Sequence, residues 1–463
     1  MDTIAAIATA SARSAVGIVR VSGAAAFDVL DRVFAPANGK PMSAHPPRVM
    51  VYGAVIDAEG RVIDRALAVR FAAEHSYTGE AGAELHCHGS PVVLNETLLA
   101  AFAAGARQAK AGEFTKRAFL SGKMDLTEAE AVVDLVDAES AEAARNAAAQ
   151  VDGALRRLAD DAYDALLDVE SRFYAVVDYP DEDIADASPA ETEAALSSVE
   201  ASLSSLLATY ARGKIVKSGV ATAIIGAPNA GKSSLLNRLV GYDRAIVTDI
   251  AGTTRDTVEE KAVCGGVLLR LIDTAGLRET DDVVERMGVE RSRRAVEGAD
   301  LILALVDSSR DPSWEDLETL ATAGGSGKPW LLVSTKRDLL PEQTPPVLDL
   351  VAKREGYRAP ERMLALSSLT GEGVEELEAA VAALFPTLPP SSGTLLTNAR
   401  QADAVSRALA SVQAALDALK SGVTPDVVLT ECEAASAALG ELTGRTARDD
   451  MVERIFERFC VGK

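Results

Sequence analysis

The feature that most constrains this sequence is a glycine loop, residues 226–233 (GAPNAGKS), between an apolar run at 221–225 and a helical pattern at 234–240. In a strand, loop and helix in this order, the loop N–H groups and the helix N-terminus offer positive potential to phosphates. Lys232 can then reach the β and γ phosphates, and the Ser233 hydroxyl can ligate Mg²⁺. Glycines also serve ordinary tight turns, but the Lys-Ser pair in this context predicts a nucleotide site.

Two further segments follow in the chain order of a GTPase. Residues 249–256 (DIAGTTRD) predict a first switch, in which a threonine adds a Mg²⁺ ligand and senses the γ-phosphate. Residues 268–272 predict a strand that ends in DTAG at 273–276. There Asp273 is expected in the outer shell of the metal, and the Gly276 N–H is expected to face the γ-phosphate.

A base-reading loop is predicted after a strand at 331–334. It has the sequence TKRD, residues 335–338, and the Asp338 carboxylate can accept hydrogen bonds from guanine N1–H and the exocyclic amine. Adenine offers no such donor pair, so we expect GTP as the substrate. The predicted nucleotide-binding residues are Asn229, Ala230, Gly231, Lys232, Ser233, Ser234, Thr248, Thr253, Thr254, Asp273, Thr274, Ala275, Gly276, Thr335, Lys336 and Asp338.

Two base-reading positions depart from the common pattern. Thr335 stands where asparagine is usual and keeps only a hydroxyl. GTPases of the Rho type also carry threonine there, so guanine specificity is expected to persist. Residues 367–369 (SSL) replace the common Ser-Ala pair, with Ser368 in place of alanine, and form the weakest match.

The residues that commonly orient the attacking water and supply positive charge in GTPases are not found at their usual positions. Leu277 stands where Ras-like proteins have the glutamine that orients water, and no arginine has an obvious claim to be a finger in cis. Asn229 is a neutral oxygen donor of the kind a monovalent cation needs, so K⁺ between the phosphates could supply the missing charge. Glu285 is the candidate to orient water; the alternative is a solvated helix carboxylate, as most glutamates are.

Length and composition limit the class of protein. At 463 residues the chain has room for roughly three domains. The net charge of −22 argues against broad, charge-driven nucleic-acid binding, but it does not exclude a local basic site. No apolar run approaches the roughly 18 residues of a membrane span, and the N-terminus lacks a secretory pattern. The four cysteines show no paired spacing, which fits a reduced cytoplasm.

The hydrophobic periodicity predicts a multidomain chain. β-rich pieces at 16–21, 50–55 and 65–71 alternate with alanine-rich helical stretches, and helical spacing then runs from Thr127 to about Arg212, with a turn at 178–182 (DYPDE). The predicted divisions are an α+β domain at 1–120, the first part of an α-helical domain at 121–214, an inserted α/β P-loop domain of the Ras-like GTPase type at 215–385, and the second helical part at 386–463.

Four sequence signatures together indicate which protein family this chain resembles. They are GEFTKRAFL at 112–120, GTTRD at 252–256, DTAGLRE at 273–279 and the terminal CVGK at 460–463. The two middle signatures also fit ribosome-assembly GTPases, so the first and last discriminate. On these signatures the chain resembles, over essentially all its length, the MnmE (TrmE) family of tRNA-modifying GTPases. Ala111 departs from the proline common in the family before the first signature.

The resemblance implies a K⁺-activated GTPase whose G domains dimerise across their switches. It implies an N-terminal domain that forms a homodimer and binds a folate carrier, 5,10-methylene- or 5-formyl-tetrahydrofolate. It further implies a flavoprotein partner, the FAD-dependent MnmG (GidA), in a heterotetramer or larger complex. In the family the pair adds a carboxymethylaminomethyl or aminomethyl group at carbon 5 of the tRNA wobble uridine.

The resemblance also assigns roles by motif to residues of this chain. The implied ligands are Asn229, Thr248, Ile250 and Thr253 for K⁺, Ser233 and Thr254 for Mg²⁺, Glu285 for the water, and Arg20, Glu84, Lys123 and Lys463 for folate, with Cys460 beside the folate carbon as a catalytic residue.

Several alternatives stay open at this point. One is a translational or ribosome-assembly GTPase, which predicts a basic RNA-binding appendage that this acidic sequence lacks. Another is a folate-dependent methyl or aminomethyl transferase with a regulatory G domain and no role on tRNA. Residues 86–88 (HCH) suggest a metal site, but no further ligands cluster nearby in sequence, so ordinary strand residues are favoured. Without the terminal signature, packing of Cys460 as a small hydrophobe would be favoured.

Overall fold

The computed structural model describes residues 2–10, 12–178, 188–242, 260–272, 293–339, 358–385, 394–446, 449–457 and 459–462. The chain divides into two compact units, each made of segments that are distant in sequence. The first unit contains Met1–Val133, Ala148–Ser205 and Arg400–Lys463, and the second contains Asp134–Ala147 and Leu206–Ala399.

A seven-stranded sheet begins the first unit. Its strands pair antiparallel, except that β1 and β7 are parallel. They are β1 (Ile4–Ile7), β2 (Ser14–Ser22), β3 (Phe34–Pro36), β4 (Val51–Ile56), β5 (Val62–Phe71), β6 (Gly82–Gly89) and β7 (Arg107–Gln108), in the spatial order β3-β4-β5-β6-β2-β1-β7.

Alternation along the strands separates two faces of this sheet. In β2, Val19 and Val21 are buried, whereas Ile18 and Arg20 are partly exposed. The buried residues share a core with helices α1 (Ala26–Val33) and α2 (Pro91–Ala103). Arg20 therefore belongs to the other face of the sheet.

The rest of the first unit is helical. Along the helix Ala154–Asp178 the buried residues recur at helical spacing, as at Leu155, Ala162 and Leu166, and this helix packs against the helix Pro425–Thr443. The helices are α3 (Glu113–Leu120), α4 (Leu126–Val136), α6 (Ala154–Asp178), α7 (Pro189–Ala208), α12 (Ala399–Lys420), α13 (Pro425–Thr443) and α14 (Asp449–Phe456), while α5 (Ala141–Val151) belongs mainly to the second unit.

The second unit is an α/β sheet with helices. All strand pairs are parallel except β9 with β10. The strands are β8 (Val220–Gly226), β9 (Glu260–Cys264), β10 (Val267–Ile272), β11 (Leu301–Asp307), β12 (Trp330–Thr335) and β13 (Arg362–Ala365), in the order β13-β12-β11-β8-β10-β9. The helices are α8 (Tyr210–Ser218), α9 (Lys232–Tyr242), α10 (Trp314–Gly325) and α11 (Val374–Leu384).

Strand β8 lies between β10 and β11, so the chain leaves it at the point where the strand order reverses. Ligands of open parallel sheets bind in the crevice at such switch points. Residues 220–225 are buried throughout, because helices cover both faces of a parallel sheet. The loop after β8 is therefore held by a rigid strand.

The expected multidomain class, with an α+β part, a helical part and an α/β P-loop part, is confirmed. The strands predicted at 221–225, 268–272 and 331–334 are β8, β10 and β12. The turn predicted at 178–182 begins at the last residue of α6, and its remainder lies outside the described residues. Among the helices that the structure describes, none has the length and apolar character needed to cross a membrane.

Candidate functional site

The glycine loop joins β8 to α9 in the second unit. Asn229 and Gly231 have positive φ angles of 59° and 89°, so the loop turns through left-handed conformations before α9 begins at Lys232. The Lys232 ammonium donates to the carbonyl oxygens of Gly226 and Ala227, both at 2.8 Å. Burial lowers the pKa of Lys232 from its usual range. The cation is thus held against the loop, where phosphate oxygens would be better partners than carbonyls.

The base-reading loop is tied directly to the glycine loop. The Thr335 hydroxyl donates to the carbonyl oxygen of Ala230 at 2.7 Å, in a fully buried contact. The next residue, Lys336, has a positive φ of 59° and pairs through its ammonium with the Asp307 carboxylate at 2.7 Å. Asp338 follows, partly exposed, in a single helical turn, Arg337–Leu339. Threonine at 335 therefore makes a connection between the two loops through its single hydroxyl.

The third base loop is adjacent to the second. The Arg337 N–H donates to the Leu366 carbonyl at 3.1 Å, and Ser367, which is fully buried, accepts a hydrogen bond from the Thr370 N–H. Leu369 is 81% exposed at the tip of the turn. The structure thus brings together three of the predicted loops, at 226–233, 335–338 and 367–369.

The remaining predicted nucleotide, cation and water residues lie outside the described residues, and so does the folate residue Lys463. They are Thr248, Ile250, Thr253, Thr254, Asp273, Thr274, Ala275, Gly276, Leu277 and Glu285. For these positions the assignments stay predictions.

A cavity of about 130 Å³ lies in the first unit, and Arg20 and Glu84 line it. These two residues are directly opposite each other on β2 and β6, and the Arg20 Nε donates to Glu84 Oε1 at 2.9 Å. The Arg20 guanidinium also lies 5.6 Å from the ring centre of Tyr77 and 5.7 Å from that of Phe114. Two of the four predicted folate residues therefore meet at one cavity.

Tyr77 and Phe114 were not singled out by the sequence analysis. Phe114 lies inside the signature at 112–120, where a buried aromatic residue is a usable signal, whereas Tyr77 lies in a segment without any motif. The Tyr77 hydroxyl is within 2.9 Å of the Thr115 hydroxyl, and burial raises the pKa of Tyr77. Lys123 does not line the cavity; its ammonium donates to the Glu74 carbonyl at 2.6 Å, next to the lining residue His75.

The end of the chain is anchored on the first unit. On the side of α14 that faces the unit, Val452 and Phe456 are 5% and 2% exposed, and Phe459 just beyond the helix is 6% exposed. The Gly112 N–H then donates to the Cys460 carbonyl at 3.3 Å, and Val461 forms an antiparallel bridge with Ala111. This docking brings the first and last family signatures into contact.

Two glycines allow the C-terminal segment to approach the rest of the first unit closely. Gly112 has a φ of 62°, and a Cβ there would lie 2.6 Å from the Phe456 carbonyl oxygen. At Gly462, with a φ of 100°, a Cβ would lie 2.3 Å from the Ile7 carbonyl oxygen. Neither position accepts a larger residue without displacement of the backbone.

Cys460 differs from the other cysteines. Its residue is exposed, whereas Cys87, Cys264 and Cys432 are buried, and burial raises the pKa of their thiols, to about 11 for Cys87 and about 12 for the other two. A buried thiol with a raised pKa is chemically inert. The alternative in which Cys460 packs as a small hydrophobe does not match its exposure.

His86 and His88 lie on the same face of β6, as expected for residues two apart in a strand. The ring of His86 contacts Glu84 at 3.1 Å, and that of His88 contacts Asp64 at 2.8 Å. In the described residues, no three His, Cys, Asp or Glu side chains group in a way that could hold a metal ion.

Comparisons with known proteins find related sequences over the whole chain. The model of the MnmE helical domain matches residues 126–460, and that of the N-terminus of the GTP-binding protein TrmE matches residues 3–123. The chain is 43% identical to the tRNA modification GTPase MnmE of Roseiflexus sp. (strain RS-1) and 42% identical to that of Symbiobacterium thermophilum. Both alignments cover 100% of this chain and 99% of the relative.

Among solved structures, a variant of Era from Aquifex aeolicus bound to GDP and AlF₄⁻ is similar to part of the chain. The identity is 26%, over 45% of this chain and 69% of that one, with a TM-score of 0.28. The two family models and the full-length relatives decide the assignment. The chain belongs to the MnmE (TrmE) family of tRNA modification GTPases.

Proposed function

We propose that this chain is a K⁺-activated GTP hydrolase of the cytoplasm that takes part in forming the carboxymethylaminomethyl or aminomethyl group on the wobble uridine of tRNA. GTP hydrolysis in tRNA modification is the general activity of the family to which the chain belongs. The finer proposal adds a tetrahydrofolate one-carbon unit and the FAD-dependent partner MnmG (GidA). The observation that carries it is the anchoring of Cys460 beside the first family signature.

The G domain would use its own residues to bind and orient the nucleotide. Lys232 exchanges its two carbonyl partners for phosphate oxygens, which are stronger acceptors of a charged hydrogen bond. Ser233, the second residue of α9, would hold Mg²⁺ with Thr254, and Asn229 would contribute an amide oxygen to K⁺. When bound, both cations neutralise charge on the β- and γ-phosphates. Glu285 would orient the attacking water.

The cavity at Arg20 and Glu84 supports the folate part of the proposal. It has an aromatic side, Tyr77 and Phe114, and a carboxylate that suits the donor groups of a pterin. Its volume of about 130 Å³ is below the roughly 300–1,000 Å³ of ordinary ligand pockets. The cavity would hold only the pterin end of the folate. The glutamate tail would extend outside the cavity toward cationic side chains such as Lys123.

Mass spectrometry of wobble nucleosides tests the proposal. Cells that lack this protein should lose the carboxymethylaminomethyl and aminomethyl derivatives of uridine, and the parent gene should restore them. Restoration by a Lys232→Ala variant would separate modification from GTP hydrolysis and contradict the proposed role of the G domain. Unchanged nucleosides in the deletion strain would favour a switch that acts in ribosome assembly.

The role of the thiol has a test of its own. Cys460→Ser should leave folding and GTP hydrolysis nearly intact, because the residue is exposed and its carbonyl makes the anchoring bond. Wobble-uridine modification should be abolished or strongly reduced. Both activities are measured on one purified variant, with Cys432→Ser as a control that alters a buried cysteine. Full modification by Cys460→Ser would show that the thiol has no part in the reaction.

A further inference from the structure

A turn at the end of β11 supports the base-reading loop from the neighbouring strand. Asp307, the last residue of β11, is opposite Thr335 in the sheet. One carboxylate oxygen of Asp307 accepts from the Ser309 N–H at 2.9 Å and from the Ser309 hydroxyl at 2.6 Å. The other accepts from the Lys336 ammonium at 2.7 Å. The Ser308 hydroxyl donates to the Thr335 carbonyl at 2.5 Å.

The carboxylate of Asp307 is held ionised for this contact. Burial alone would raise its pKa, but hydrogen bonds from Lys336 and Ser309 lower the pKa below its ordinary value. The side chain of Asp307 is 7% exposed and that of Lys336 is 35% exposed. The other nearby cation, Arg310, is 4.0 Å away and makes its closer contact, 2.8 Å, with Asp316. The ion-pair partner of Asp307 is therefore Lys336 rather than Arg310.

The need for such support follows from the threonine at 335. An asparagine side chain has two amide hydrogens to donate and an oxygen to accept, whereas a hydroxyl has one hydrogen to donate. Thr335 uses it on Ala230, 2.7 Å away, or on the more distant Val306 carbonyl. The turn at 307–309 adds two side-chain connections to the same loop, besides the backbone bond from the Ser308 N–H to the Thr335 carbonyl at 3.1 Å.

We infer that Asp307 is a positioning residue for guanine nucleotide, acting through Lys336. With its ammonium fixed, the methylene stem of Lys336 is ordered beside Asp338, the residue that reads the guanine edge. A free lysine loses rotamer freedom when it is immobilised. Fixing Lys336 beforehand removes much of that loss from binding. The inference rests on residues 335–338 being the base-reading loop.

The experiment is a thermodynamic cycle in the full-length chain, with fluorescent mant-GDP in buffer that contains Mg²⁺ and K⁺. The variants are Asp307→Asn, Lys336→Met and the double variant. Asp307→Asn should raise the Kd for GDP on the order of tenfold, as expected for the loss of a charge-assisted hydrogen bond, mainly through faster dissociation. The KM for GTP should rise, and kcat at saturating GTP should stay within about twofold.

The double variant separates positioning from general support. If Asp307 acts through Lys336, Asp307→Asn should have no further effect on the Kd once Lys336 is Met. Lys336→Arg, which keeps a cation for Asp307, should lose less affinity for GDP than Lys336→Met. Asp300→Asn is the matched control, since Asp300 accepts from the Ala221 N–H at 3.2 Å just before the opposite end of β11.

Two results would overturn the inference. A loss of affinity that persists in the Lys336→Met background would assign the effect of Asp307 to its Ser309 contacts. If both single variants bind GDP as tightly as the parent, Lys336 does not contribute to nucleotide binding. The assignment of residues 335–338 as the base-reading loop would then be wrong as well. If Asp307→Asn fails to fold, the contrast between Lys336→Met and Lys336→Arg decides the matter: equal affinities contradict the ion pair.

Discussion

Asn229 has a left-handed backbone conformation that few residues other than glycine adopt, with a φ of 59°. Asparagine is among the residues that tolerate this conformation best, so its presence in the glycine loop is consistent with the turn itself. Its amide oxygen is the part that the turn does not require. A cation role for that oxygen can therefore be tested without disturbing the loop.

We predict that GTP turnover is much faster in K⁺ than in Na⁺. Na⁺ is too small for a site that bridges phosphate oxygens and an amide oxygen, and an arginine finger, whose place K⁺ would take, is worth about 10³ to 10⁵ in rate. Steady-state phosphate release in the two salts measures the effect. Asn229→Gly, which keeps the left-handed turn, should reduce the rate in K⁺ toward that in Na⁺. Equal rates for the parent protein in both salts would contradict the prediction.

A second prediction separates binding from hydrolysis. Glu285→Ala should leave GTP affinity near that of the parent while it slows turnover, because a water-orienting group acts chiefly in the transition state. Lys232→Ala should also weaken GTP binding, since its ammonium contacts the phosphates of the ground state. Equilibrium titration and single-turnover rates distinguish the two variants. Hydrolysis by Glu285→Ala at the parent rate would leave Glu285 as a surface carboxylate.

Single residues differ in how far the sequence predicts them. The glycine loop was predictable because all its parts are contiguous, and local geometry alone sets them. The pairing of Asp307 with Lys336 joins residues 29 apart in the chain, and the contact of Arg20 with Tyr77 joins strand β2 to a segment that carries no motif. Such contacts depend on which segments become neighbours in the fold, and the hydrophobic periodicity of a single strand does not specify its neighbour.

At the scale of elements, α4 begins with a complete capping box. The Asp125 carboxylate accepts a hydrogen bond from the Glu128 N–H at 2.8 Å, and the Glu128 carboxylate accepts one from the Asp125 N–H at 2.7 Å. Burial, with repulsion from Glu128, outweighs these hydrogen bonds and raises the pKa of Asp125 to about 6. The helix thus starts at a carboxylate that binds a proton more tightly in the folded chain than in the unfolded one.

This shift predicts a pH dependence of stability. Since the folded pKa is above the ordinary 3.8, the folded state holds more protons between about pH 4 and pH 6, and the free energy of unfolding falls as pH rises through that window. The loss is on the order of 3 kcal/mol. Asp125→Asn keeps an acceptor for the cap and should flatten the change between pH 4 and pH 7. Urea titrations at both pH values measure it, and an unaltered slope would contradict the raised pKa.

At the scale of the whole molecule, the family resemblance predicts a homodimer through the first unit. Light scattering should give twice the 48.4 kDa of one chain, with or without nucleotide, because that contact would not involve the switches. A monomer in the absence of GTP would contradict this. A mass that doubles only with GTP would assign dimerisation to the G domains alone.

The chain organisation was only partly predictable. Helical periodicity indicated which stretches are helices, and the position of the P-loop indicated an inserted domain. The division of residues between the two units was harder, because α5 and the segment after the G domain are joined by specific polar contacts. The Asn146 amide, for example, bonds both the N–H and the carbonyl of Leu395. Such contacts leave no periodic signal.

The anchored C-terminal helix also has a consequence for biosynthesis. Lys116 and Glu453 approach each other although they are 337 residues apart in the chain. At roughly 5–20 residues per second, a ribosome needs about 20 to 70 s to make the intervening segment. During that time Leu126 and Ala129 lack the Val452, Phe456 and Phe459 side chains that cover them in the finished protein. The nascent chain therefore exposes this apolar surface until its last helix has been made, and the first unit is completed only after the second has been synthesised.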